Sequence, residues 1–172
     1  MENFDKKEIV DRMLSRAETG LYFLEDFLFR HSAKDAVYFR SILIILSYSF
    51  ELVLKAKVVL VSKSIIKDEL ERELKKLNHN IINVSNKLTK EDLNSIGIEK
   101  IDIRNTNDFV GYIIKTSSGK ELSIEDFIDV RYDFMKNSRR DLQEDEKVKE
   151  CVSEILNIIK KIKDLLPKLF KN

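Results

Sequence analysis

At 172 residues, with 43% hydrophobic and 35% charged side chains, the chain is long enough for one core, short for two and too apolar for a disordered tract. Its 31 Lys and Arg nearly cancel 30 Asp and Glu, which excludes a strong global field towards nucleic acid or membrane and leaves any basic surface local. One cysteine excludes an internal disulfide and a multi-cysteine metal site, and four Gly and one Pro argue against a many-turned β-protein.

The composition therefore predicts a mostly α single domain, residues 1–172. Met1 is followed by Glu2 and Asp5 rather than by a basic-then-apolar leader, so a signal peptide is not expected and the cytoplasm is the default. The lone Cys151 fits a reducing compartment.

Val10, Leu14, Ala17, Leu21, Leu24 and Leu28 recur in steps of 4, 3, 4, 3, 4 and predict a first helix over 4–30. Gly20 within it costs about 1 kcal/mol relative to Ala, which points to a close helix crossing. Phe23, Phe27 and Phe29 broaden the apolar face near its end and read as core packing rather than a cofactor box. His31 falls at the turn that follows and reads as a solvated cap-region side chain.

From 32 to 61 no Gly or Pro interrupts the chain, and Ser32 with Asp35 forms an N-cap pattern. Ile42 to Leu46 is apolar at five consecutive positions, so this second helix must meet neighbours on several sides. It is too polar for a membrane span, because Ser47, Ser49, Glu51, Lys55 and Lys57 interrupt it. Ser47, Glu51 and Lys55, four apart, share one stripe. Glu51 and Lys55 make either a surface ion pair worth a few tenths of a kcal/mol or one wall of a polar pocket in which each charge needs a partner.

Leu70, Leu74, Leu77, Ile81, Val84 and Leu88 repeat the same rhythm and predict a third helix over 67–88. His79 on such a helix points away from the seam, and Arg72, seven residues earlier, shares its outward face. Thr89 with Asp92 is a further cap pattern opening a short turn. Between about 99 and 122 the apolar period becomes two, with turn-rich clusters at 104–108 and 116–119. A two- or three-stranded antiparallel meander leaning on the helices is predicted there. Ser123 with Asp126 caps a helix through Phe127, Ile128 and Val130, and Ser138 with Asp141 starts the last one. In that helix Val148, Val152, Ile155, Ile159, Ile162, Leu166 and Leu169 keep the seam until Pro167 ends or kinks it. An antiparallel bundle of four or five helices with a small β insertion follows, and the sustained heptads also suit a second copy, giving a homodimer.

Two histidines leave little material for a zinc site or a triad, so neither metal nor cofactor is expected. Phe50-Glu51-Leu52-Val53-Leu54-Lys55-Ala56, then His79-Asn80-Ile81, then Arg131-Tyr132-Asp133 resemble, in order and approximate spacing, three landmarks of HEPN domains. The resemblance implies a helical bundle, commonly dimeric, that binds nucleotides or RNA, in a defence or toxin–antitoxin setting beside a nucleotidyltransferase partner. Independently of the resemblance, the chemistry of Glu51, Lys55, His79 and Arg131, with Tyr132 as a stacking face, suits a phosphate or ribose edge if the bundle brings them together, and no membrane partner is expected. Many family members are metal-independent ribonucleases using Arg-x4-6-His. No His follows Arg131 at that distance, and only Arg72 and His79 have the spacing, within the predicted third helix. A non-catalytic binding module is therefore favoured, with two alternatives. One is a ribonuclease in which His79 is the base and Arg72 or Arg131 the stabiliser of the transition state. The other is a helical scaffold docking a partner through 148–169.

Overall fold

A computed structural model of the chain describes residues 5–32, 36–64, 66–105, 110–126, 128 and 145–169. Helix α1 (Lys6–Arg30) begins at Asp5, whose carboxylate accepts the Lys7 amide at 2.8 Å and so satisfies one orphan first-turn donor. Its six seam residues from Val10 to Leu28 are all buried. Helix α2 (Ala36–Val61) is the central element, with Phe50, Val53, Leu54, Ala56 and Val59 fully buried. The two run antiparallel: Phe27 meets Tyr38 with ring centroids 4.9 Å apart, and Ser49 Oγ donates to the Ala17 carbonyl. At their crossing a Cβ on Gly20 would stand 3.1 Å from both Ile45 Cγ2 and Ser49 Oγ. Glycine is what permits the approach.

The predicted third helix is broken. α3 (Lys67–Lys76) stops where Asn78 takes φ 51°, α4 (Ile81–Ser85) follows, and α5 (Lys90–Ser95) comes next. The cause is the polar run Asn78-His79-Asn80. Asn tolerates the left-handed conformation better than most residues, and the Asn80 side chain caps α4 by accepting the Asn83 amide at 2.9 Å. Leu70, Leu77, Ile81, Val84 and Leu88 are buried all the same, so the apolar rhythm survives the break. Thr89 and Asp92 form the expected capping box of α5.

Strands β1 (Ile98–Asn105), β2 (Val110–Thr116) and β3 (Glu121–Glu125) make the antiparallel meander in the order β1-β2-β3. Tyr112 pairs with Ile124 and Ile114 with Leu122, and these four side chains form the buried face that joins the helical core. Ser123 lies inside β3 and does not cap a helix. The strand is favoured there because Leu122 and Ile124 on either side of it both face the core. Asp126 does act locally, accepting the Ile128 amide at 3.0 Å and the Tyr112 hydroxyl at 2.5 Å.

Helix α6 (Asp145–Leu169) continues two residues beyond Pro167. It returns antiparallel to α1, since Lys163 pairs with Glu18 at 2.6 Å while Ser32 Oγ donates to Asp145 at 3.0 Å. Among the described residues three helices exceed twenty residues, so the class is mostly helical with a small sheet. The cap pattern at Ser138 and Asp141 lies outside the described residues.

The sheet is tied to α6 by Lys120, 2.9 Å from Glu154, and by Ser118, whose hydroxyl donates to the same carboxylate at 3.1 Å. The Glu154 hydrogen bond holds the Lys120 ammonium above the ordinary lysine value. Beside it, Cys151 is buried, and that burial pushes its thiol up from 9.0 to about 11. The sign follows from linkage. The unfolded thiol ionises first, so the contribution is intact below pH 9 and is lost as pH rises towards 11. Two pKa units correspond to about 3 kcal/mol. Urea unfolding at pH 8 and pH 11 should show that extra loss in the wild type and not in Cys151→Ala.

Candidate functional site

The Glu51 stripe of α2 is buried, not superficial. Glu51 is 2% exposed, and its two carboxylate oxygens are divided between two partners. Oε1 lies 2.6 Å from Lys55 Nζ, and Oε2 lies 3.0 Å from His79 Nδ1. Lys55 Nζ also donates to the Asn78 carbonyl at 2.8 Å. A carboxylate this deep is tolerated because both oxygens are paired. Ser47, one turn earlier, takes no part: its hydroxyl is buried with no hydrogen-bond partner among the described residues.

His79 reaches Glu51 because of the helix break. On an unbroken helix it would point outward; on the Leu77–Asn80 turn it folds back against α2 while Asn78 presents its carbonyl to Lys55. This corrects the outward placement expected from the wheel. With Nδ1–H donated to Glu51, a neutral imidazole keeps its acceptor lone pair on Nε2. The ring is 43% exposed and opens on a cleft of about 360 Å³ lined by Met13, Tyr48, Leu52, Leu74, Lys75 and Asn78, with Glu51 and Lys55 behind. Glu51 and Lys55 cancel, so Lys75 on the rim gives the cleft a net positive charge. Such a cleft suits an anion with a planar or apolar portion.

Three of the expected groups, Glu51, Lys55 and His79, therefore meet. Arg72 is exposed on α3, its Nε donates to the Asp68 carbonyl at 3.2 Å, and it is not part of the cleft wall. Arg131 and Tyr132 lie outside the described residues. Sequence reasoning missed Tyr48, Lys75 and Asn78. Tyr48 stands three residues before Glu51, which is contact spacing on a helix, and Asn78-His79-Asn80 is a turn signal that the leucine rhythm overrode.

The aromatic end of α1 also differs from expectation. Phe23 is 58% and Phe29 89% exposed, because both fall off the stripe of Leu21, Leu24 and Leu28 that faces the core. Of the three only Phe27 packs against the core, stacking on His31 at 4.6 Å, with the Phe23 ring lying on it from outside at 6.2 Å; His31 caps α1 through its amide and remains exposed, as expected.

A larger hollow of about 650 Å³ runs along the outside of α1 from Asp5 to Arg16. Among the described residues one helix end supplies its walls, which makes it a poor enclosure for a ligand. Lys57, 3.6 Å from Asp92, is buried between α2 and α5 and does structural work. Among the described residues no group of three or more His, Cys, Asp or Glu side chains is placed to hold a metal ion, and no helix is long and apolar enough to cross a membrane. No family model, curated protein or solved structure matches the chain.

Proposed function

We propose that the chain is a HEPN-like module that binds a nucleotide or RNA at the Glu51–Lys55–His79 cleft, without catalysis, in a defence or toxin–antitoxin pair with a nucleotidyltransferase. The observation that carries this reading is the buried Glu51 holding a lysine and a histidine at the wall of an open cleft. A carboxylate that only stabilised the fold would not require an imidazole presented to a hollow with a second lysine on its rim. Lys75 supplies long-range attraction for phosphate, and the His79 ring, held by Glu51, presents a polar edge to the same cleft. Fluorescence anisotropy with a short 5′-phosphorylated RNA and with a labelled adenine nucleotide tests it. Lys75→Ala and His79→Ala should each weaken binding about tenfold, with the affinity falling as salt rises. Unchanged affinity in both variants rejects the cleft as the site.

A second reading is a metal-independent ribonuclease using His79 and Arg72, and it draws on one observation. Glu51 on Nδ1 holds the neutral ring in the tautomer whose Nε2 can accept a proton. Cleavage of RNA by the wild type and not by His79→Ala favours this reading; equal cleavage, or none, rejects it.

A further inference from the structure

A second hollow of about 340 Å³ adjoins the cleft and differs from it in character: it is walled by Gly20, Ile44, Ile45, Tyr48 and Ser49, with Arg16 at its mouth. Tyr48 belongs to both walls. On α2 the apolar hollow is lined by residues 44–49 and the charged cleft by 48–55, so their midpoints lie about five residues, or about 7.5 Å, apart along the axis at 1.5 Å per residue. That separation is on the scale of a mononucleotide. Gly20 forms the close-packed side of this hollow, where a Cβ would press on Ile45 and Ser49.

We propose that these two hollows form one bipartite site, in which the Gly20 hollow takes a nucleobase and the Lys55–Lys75–His79 cleft takes the phosphate of the same nucleotide, with Tyr48 between them. The inference rests on the nucleotide reading above and adds the base subsite and its residues. The charges fit this direction of binding and not the reverse. Lys75 and His79 lie at one end, while the other end offers two isoleucines, a tyrosine ring and one guanidinium. A base stacks on Tyr48 with little demand for a particular hydrogen-bonding edge, and Arg16 can lie over its outer face. The site should therefore accept different bases and discriminate against ligands lacking one.

Isothermal titration of the full chain with adenosine 5′-monophosphate and with ribose 5-phosphate separates the two halves. Base–aromatic stacking makes the expected preference for the nucleotide about tenfold or more. Ile44→Asn, which touches only the apolar hollow, should remove most of that preference while leaving the ribose 5-phosphate affinity unchanged, and Tyr48→Ala, at the wall shared by both, should remove the preference as well. Tyr48→Phe should retain it. Equal affinity of the wild type for both ligands overturns the base subsite and leaves the phosphate cleft standing. An equal loss for both ligands in Ile44→Asn also overturns it, as would a failure of adenosine 5′-monophosphate to bind, which would in addition remove the nucleotide reading.

Discussion

Glu51→Ala is expected to lower the free energy of unfolding by about 3 kcal/mol and to abolish nucleotide binding. Removing one member of a buried charge pair typically costs about 3–5 kcal/mol because the other charge is left uncompensated. Lys55 keeps the Asn78 carbonyl and its side chain is 13% exposed, which places the loss at the lower end. For a chain of this size the melting temperature should fall by roughly 6–12 °C. The double variant Glu51→Leu with Lys55→Met separates stability from function. Well-packed apolar replacements of a buried ion pair are often neutral, so it should regain most of the stability while binding stays lost, because His79 no longer has its carboxylate. Urea unfolding and anisotropy on the wild type, Glu51→Ala and the double variant read both quantities. A loss below about 1 kcal/mol in Glu51→Ala would mean that the group behaves as a surface pair and would sink the site.

The residues that periodicity governs were legible in the sequence. Val10 to Leu28 and Val148 to Leu166 declared their helices because burial of an apolar stripe at a helical period is what makes them helices. The meander was legible for the same reason at period two. The break at Asn78 was not, because the leucine spacing continues through it: Leu77 and Ile81 reach the same core from two separate segments. A periodic pattern reports which residues are buried, not whether the backbone between them stays helical. The site shows the same division. That Glu51 and Lys55 would pair follows from their spacing, whereas the approach of His79 depends on one positive φ and could only come from the fold. Phe23 and Phe29 mislead in the opposite direction, since aromatic content suggested core while their angular position on α1 leaves them outside it.

Ile155→Glu is expected to prevent folding, and this outcome decides whether the heptads of α6 serve the chain itself or a partner. Val148, Val152, Ile155, Ile159 and Ile162 are each 0% exposed within a single chain, packed into the same core as α1, α2 and the sheet. The seam that suited a second copy is thus already covered by the chain's own core. A carboxylate at Ile155 would stand fully buried in an apolar core, and its desolvation costs several kcal/mol beyond the lost packing. Total stabilities of about 5–15 kcal/mol leave little after such a loss. Far-UV circular dichroism should show the helical signal of the wild type lost in Ile155→Glu at 25 °C. Ile155→Val should stay folded and lose about 1 kcal/mol. A scaffold that docks a partner through 148–169 requires the contrary result, a folded Ile155→Glu monomer that merely fails to associate, and sedimentation beside the circular dichroism distinguishes the two.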